Sequence, residues 1–188
     1  LIPPVPGRLD YLLYIKDFLS ERFNLNIDRP LKGLDIGSGA NSIYCLLGSE
    51  HFGWSMVGAE SDVKAVEIAK GNIARTPALK NTIEIRLQEN KQFLFKNIVQ
   101  PNEPFDFSIC NPPFHSSQAE ALKGSYRKQR NLGNRTDHNT TLLNFEGQAN
   151  ELWCKGGEAL FIKRLIKESV GYKSQVKLFS SLVSKEES

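Results

Sequence analysis

Two short segments of this chain hold residue types whose spacing could do chemistry. In the first, Asp106-Phe107-Ser108-Ile109-Cys110 leads straight into Asn111-Pro112-Pro113-Phe114. The Asn111 side-chain oxygen and the Pro112 carbonyl are neighbouring acceptors, and each can take one hydrogen of an amino group. Together they would orient a planar NH2 group and favour a more pyramidal nitrogen, freeing a lone pair otherwise delocalised into a ring or carbonyl. The two prolines restrict the turn, so less entropy is lost in ordering the acceptors. Phe114 offers a ring for stacking a base, worth on the order of 1–3 kcal/mol. No general base is demanded, because the ammonium formed when such a nitrogen attacks an electrophile can lose its proton to solvent. A Pro-Pro turn closing a strand is the bland reading, but it leaves the amide before it and the aromatic after it unexplained.

The second segment is Leu34-Asp35-Ile36-Gly37-Ser38-Gly39-Ala40-Asn41, followed by Glu60 at 21 residues beyond Gly39. Glycines serve where the backbone bends sharply and a ligand must approach without a Cβ in the way. A carboxylate at the end of the next strand can accept both ribose hydroxyls of a nucleoside-bearing cofactor. The spacing alone does not separate a nicotinamide dinucleotide from S-adenosylmethionine. Ser42 stands where the dinucleotide fingerprint has its third glycine, which tilts the reading toward S-adenosylmethionine, a cofactor with no pyrophosphate to seat. A plain structural turn with a solvated Glu60 is the competing account. Asp35 has its own, since a carboxylate beside such a turn can simply cap backbone amides.

These segments need elements to position them. Leu9 to Phe23 has apolar residues near helical spacing, after Pro3, Pro4, Pro6 and Gly7. Leu31–Ile36, Trp54–Ala59, Thr82–Leu87, Phe105–Cys110 and Gln175–Val183 read as five strands. Asn41–Leu47 reads as a helix start, and Asp62–Arg75, Glu146–Cys154 and Glu158–Val170 read as helices. The polar stretch from Asn111 to about Leu142 reads as a long loop. Strand and helix alternate, so an α/β fold with a mostly parallel sheet and helices on both faces is expected. Trp54 and Trp153 read as core residues.

Composition narrows the class further. The chain has 188 residues with 24 basic and 21 acidic side chains, a net charge of +3 too weak to argue nucleic acid by itself. Its 40% apolar content excludes wholesale disorder. No apolar run is long enough to span a bilayer. Cys45, Cys110 and Cys154 form no C-x-x-C pair, and His51, His115 and His138 lack ligand spacing. Free thiols in a reducing, cytoplasmic compartment are expected, with no metal. The chain opens at Leu1 without an initiator Met and reads as an excerpt of a longer protein.

With both motifs in view, the sequence resembles class I S-adenosylmethionine-dependent methyltransferases. More closely it is similar to the ribosomal RNA large subunit methyltransferase F family, adenine-N6 enzymes, and to eukaryotic adenine-N6 methyltransferases of small nuclear RNA. The resemblance rests on Pro4-Val5-Pro6-Gly7-Arg8-Leu9-Asp10-Tyr11, on the glycine turn, and on Asn111-Pro112-Pro113-Phe114-His115. It continues through Gly124-Ser125-Tyr126-Arg127-Lys128, Arg130-Asn131-Leu132-Gly133, Leu143-Asn144-Phe145 and Glu151-Leu152-Trp153-Cys154-Lys155-Gly156-Gly157-Glu158. It implies a Rossmann-like fold, S-adenosylmethionine as cofactor and an adenine of 23S ribosomal RNA as substrate. Arg8, Asp35, Gly37, Gly39, Asn41 and Glu60 are then the cofactor residues, with Arg8 paired to the methionine carboxylate. Asn111, Pro112, Pro113 and Phe114 are the catalytic set. A residue among Gln88 to Gln92 should border the cofactor's adenine. Residues 1–30 form a helical lead-in and 31–188 the methyltransferase domain. That domain lacks the family's final strands and is truncated after the fifth.

Between His115 and His138 lie Lys123, Arg127, Lys128, Arg130 and Arg135 against Glu120 and Asp137, a surplus equal to the whole chain's net charge. Directly after the tetrapeptide, Lys123, Arg127, Lys128 and Arg130 are expected to meet RNA phosphates. RNA is read mostly in looped regions, and a base must leave its stack to be modified. Glutamine N5-methylation of a protein makes the same demand on Asn111, but those enzymes usually have Tyr at the place of Phe114 and lack the basic loop. N2-guanine methylation of RNA is also compatible with the tetrapeptide. An RNA-binding module with a vestigial cofactor pocket is the alternative from another class. A nicotinamide oxidoreductase leaves Asn111 to Phe114 without a role.

Overall fold

A computed structural model describes residues 5–25, 29–113 and 157–184. The helix expected at Glu146–Cys154, Phe114, Trp153 and the basic loop all lie outside them. The chain divides into two compact units, Leu1–Cys110 with Glu168–Ser180, and Asn111–Lys167 with Ser181–Ser188.

The first unit is built on a five-stranded sheet. Its strands are β1 (Lys32–Ile36), β2 (Ser55–Glu60), β3 (Ile83–Leu87), β4 (Phe105–Cys110) and β5 (Val176–Phe179). All pair in parallel, in the order β3-β2-β1-β4-β5. The residues of β4 are all buried, as are four of the five in β1, as a parallel sheet covered on both faces requires. The sequence marks these two strands by the breakers around them, Pro30 and Gly37 for β1 and Pro104 and Pro112 for β4.

Helix α1 (Pro6–Phe23) starts with proline in its first turn and ends at Asn24, whose left-handed conformation lets its N–H bond the Leu19 carbonyl. It buries Leu12, Ile15 and Leu19. Helix α2 (Ile43–Phe52) ends where Gly53, at φ 65°, returns its N–H to the Gly48 and Ser49 carbonyls. Helix α3 (Val63–Ala74) is capped by Asp62, whose Oδ1 accepts the Lys64 and Ala65 N–H groups at 2.8 and 3.2 Å. Trp54 is core, as expected: it stacks on Phe52 with centroids 4.4 Å apart and meets Phe107 edge-on at 5.0 Å.

Three local expectations shift. The helix after the glycine turn begins at Ile43 rather than Asn41, because Ser42 takes φ 44° and cannot be helical. Strand β5 stops at Phe179 instead of reaching Val183, its last pairing being Phe179 with Ser108. The connection from β3 to β4 contains no helix, so strict alternation fails there. Its turns bury Leu94, Phe95, Ile98 and Val99 instead.

Helix α4 (Gly157–Ser169) begins in the second unit. There the buried Glu158 carboxylate accepts the Ser184 N–H and hydroxyl, each at 2.7 Å. Among the described residues, no helix is long and apolar enough to cross a membrane. No group of three or more His, Cys, Asp or Glu among them could hold a metal ion.

Candidate functional site

In an open parallel sheet, ligands bind beyond the carboxyl ends of the strands, where the strand order reverses. Here that point lies between β1 and β4. Their register pairs Ile36 with Cys110, the last residue of each strand. Gly37 follows the first and Asn111 follows the second.

The glycine turn has the backbone the sequence suggests. Gly37 and Gly39 lie at φ 75° and 64°, in the left-handed region. The N–H groups of Gly37 and Ser38 both bond the Ala59 carbonyl, at 2.8 and 3.0 Å, tying the turn to β2. A Cβ at Gly37 would meet nothing within 4 Å, so the backbone there is open to approach. Gly37→Ala is therefore expected to cost about 1–2 kcal/mol of backbone strain and to weaken S-adenosylhomocysteine binding. Unfolding and calorimetric titration check the two effects, and unchanged affinity would show that the turn does not meet the cofactor.

Glu60 is buried, and its carboxylate holds the turn from the other side. Oε2 accepts the Gly39 N–H at 3.0 Å, and Oε1 accepts those of Ser61 and Asp62 at 2.6 and 2.9 Å. This is not a solvated strand end. Its position joins the glycine turn to the start of α3. Gln88 continues the row: its N–H bonds the Glu60 carbonyl at 2.7 Å, just past the pairing of Glu60 with Leu87. Asn41 is exposed in the turn before α2.

Asp35 caps no backbone amide. It is 1% exposed, its Oδ1 has no hydrogen-bond partner, and its Oδ2 takes the Cys45 thiol at 3.8 Å. Burial, then the nearby Glu60 charge, push its carboxyl up to about 7, while the Cys45 contact pulls it partly back. Burial also raises the Cys45 thiol, as do the charge of Asp35 and their contact. Because folding raises the Asp35 pKa, its protonated form suits the fold. The Asp35 contribution to stability is then fully present below the unfolded value of 3.8 and is lost as pH rises through about 7. Asp35→Asn is expected to flatten that decline and to stabilise the protein above pH 7 by about 2–4 kcal/mol. Urea midpoints at pH 5 and pH 8 measure this, and equal pH dependence in both proteins would contradict it.

Sequence reasoning gave Tyr44 and Ser180 no role here. Tyr11 and Tyr44 meet edge to face, with centroids 5.8 Å apart. The Tyr11 and Ser180 hydroxyls are 2.8 Å apart, and Ser180 donates to the Ser108 carbonyl at 2.9 Å. Burial raises the Tyr11 pKa, and its hydrogen bonds with Ser180 and the Cys110 backbone offset this in part. Burial also takes Tyr44 up to about 12, the Arg8 cation opposing it and Asp35 adding to it. The first turns of α1 thus bring Arg8 near Tyr44, and Tyr11 to Cys110 at the end of β4. The alternation of Arg8 and Tyr11 in Pro-x-Arg-x-x-Tyr was visible in the sequence. Tyr44 gave no signal, because α2 is apolar on nearly every side.

Ser38 Oγ, like Asp35 Oδ1, is buried without a hydrogen-bond partner. Two such polar atoms beside an open glycine backbone fit a polar ligand such as an amino acid-bearing nucleoside. In the second unit, Asn111 is half-buried and Pro112 buried. Phe114, Lys123, Arg127, Lys128 and Arg130 lie outside the described residues.

The parallel sheet, glycine turn and carboxylate on the second strand make a Rossmann-like methyltransferase fold. The catalytic domain of hMettl16 in complex with MAT2A 3'UTR hairpin 1 superposes with a TM-score of 0.71 at 28% identity, over 99% of this chain and 58% of that one. The N-terminal domain of human METTL16 in complex with SAH gives 0.67 at 26%, over 99% and 58%. A family model described as RNA methyltransferase matches residues 1–188, and the chain belongs to that family. It is 54% identical over 187 residues to Ribosomal RNA large subunit methyltransferase F of Christiangramia forsetii, covering 100% of this chain and 64% of that relative. The chain thus spans less than two thirds of the relative's length.

Proposed function

We propose that the protein transfers a methyl group from S-adenosylmethionine to the N6 amine of an adenine in large-subunit ribosomal RNA. The observation that carries this reading is that β4, which the sequence continues directly as Asn111-Pro112-Pro113-Phe114, pairs with β1, which runs into the Glu60-braced glycine turn. The relatives' names, a ribosomal RNA methyltransferase and an RNA-bound and SAH-bound domain, support the substrate class and the cofactor.

When bound, S-adenosylmethionine would supply a sulfonium methyl as the electrophile for the amine lone pair, with the thioether as leaving group. Glu60 binds the ribose hydroxyls, and the Gly37–Gly39 backbone lies against the ligand. Arg8 pairs with the methionine carboxylate, and Asp35, Ser38 and Asn41 complete the polar wall. Asn111 Oδ1 and the Pro112 carbonyl each accept one hydrogen of the adenine amine, aiming its lone pair. Phe114 stacks on the base, with Pro113 holding the turn. The proton of the product ammonium leaves to solvent.

Lys123, Arg127, Lys128 and Arg130 bind RNA phosphates. Replacing Arg127, Lys128 and Arg130 together by alanine is expected to weaken RNA binding and lower its salt slope by about 2, with cofactor affinity unchanged. Equal RNA affinity in both proteins at two salt concentrations would contradict this. The proposal as a whole is tested by offering the full-length protein ribosomal RNA and release factor side by side with labelled S-adenosylmethionine. Label on the RNA supports it; label on the release factor moves the function to glutamine methylation.

A further inference from the structure

The connection between β3 and β4 starts beside Glu60, whose carbonyl accepts the Gln88 N–H, yet it has no α-helix or strand of its own. Backbone N–H groups outside regular structure must find other acceptors. Three consecutive ones find the same carboxylate. Glu168, in the last turn of α4, accepts Leu94 N–H at 2.7 Å through Oε2, and Phe95 and Lys96 N–H at 3.0 and 2.9 Å through Oε1. Phe95 is fully buried, 5.5 Å from the rings of both Tyr172 and Phe179, so the segment is anchored from two sides.

The path continues from this anchor toward the glycine turn. The Lys96 carbonyl accepts the Gln88 side-chain amide at 2.8 Å, and Gln88 Oε1 accepts the Asn90 N–H at 3.1 Å. Gln88 is 5% exposed, and its own N–H bonds the Glu60 carbonyl. The Glu60 carboxylate in turn holds Gly39. Glu168 is therefore joined to the ribose end of the pocket through two backbone segments and one side-chain amide. A carboxylate has lone pairs for all three N–H groups, whereas an amide of the same size presents donors to some of them.

We propose that Glu168 is a positioning residue for the cofactor pocket, fixing residues 88–96 as its adenine-side wall through Gln88. This rests on the cofactor reading given above. Glu168 touches no reacting atom, so its loss acts on cofactor binding and not on the methyl transfer step.

The test uses the full-length protein with S-adenosylhomocysteine as probe, below the melting temperature of each variant. Glu168→Gln is expected to raise the dissociation constant about tenfold, and to raise KM for S-adenosylmethionine while kcat at saturation holds. Gln88→Leu should weaken binding similarly, and the double variant should bind no worse than the weaker single one. A Glu168→Gln protein that melts earlier but binds the probe normally would overturn the proposal, as would additive losses in the double variant. Should Glu168→Gln fail to fold, Gln88→Leu alone decides: normal probe binding would break the path on which Glu168 acts. A wild-type protein that binds no probe would overturn the cofactor reading itself, an outcome distinct from these.

Discussion

Asn111→Ala is expected to lower kcat for RNA methylation by about 10²–10³-fold, the size of effect seen when one preorganised hydrogen-bonding group is removed from a transition state. In the proposed mechanism the amide oxygen holds one of two amine hydrogens, and without it the nitrogen lone pair has no fixed direction. Glu60, Gly37 and Gly39, the residues proposed to meet the cofactor, lie in the other compact unit, and S-adenosylhomocysteine affinity is expected to be unchanged. Stability should shift little, since Asn111 is only half-buried. Single-turnover methyl transfer with saturating cofactor measures the first effect and calorimetry the second. A variant with wild-type turnover would remove Asn111 from the mechanism. One that loses cofactor affinity instead would move it into the cofactor site.

The largest stability effect is expected far from the chemistry, at Gly33 in the middle of the sheet. A Cβ there would sit 2.3 Å from Phe107 Cζ, 2.6 Å from its Cε2 and 2.7 Å from Met56 Sδ. Phe107 is fully buried between Trp54 and β1, so its ring has little room to retreat. Gly33→Ala is expected to destabilise by about 3 kcal/mol, at the upper end of overpacking costs. Phe107→Leu alone should cost about 1–2 kcal/mol for the space it leaves. Combined, the two should partly cancel, with a coupling above about 1 kcal/mol because the added methyl takes up the vacated volume. Denaturant midpoints of the four proteins give this coupling, and strictly additive losses would contradict the packing described.

Both predictions depend on features of unequal visibility in the sequence. Strands β1 and β4 were legible because chain breakers bracket them, Pro30 and Gly37 around the first and Pro104 and Pro112 around the second, although Asp35, Asp106 and Ser108 interrupt their apolar residues. The turn at Gly37 and Gly39 was legible because side-chain-bearing residues rarely take those angles. Ser42 was not, since its φ of 44° is uncommon for serine and nothing local signals it. The β3–β4 connection was hidden for a different reason. Gln88 to Gln92 were expected to supply a residue beside the cofactor's adenine, but five polar side chains in a row do not show that Gln88 is buried, nor that the amides of residues 94–96 are satisfied by a side chain more than seventy positions away. No periodicity records a partner at that distance. Asp35 was visible as a carboxylate by a glycine turn, but only its burial and unpartnered oxygen distinguish it from an amide cap.

The most direct measurement is the identity of the nucleoside made when the full-length protein and S-adenosylmethionine are incubated with unmodified large-subunit ribosomal RNA. Digestion and mass analysis should find N6-methyladenine, and the Asn111→Ala protein should leave it at background. N2-methylguanine, or no modified nucleoside from a protein that binds S-adenosylhomocysteine, would contradict adenine as the target.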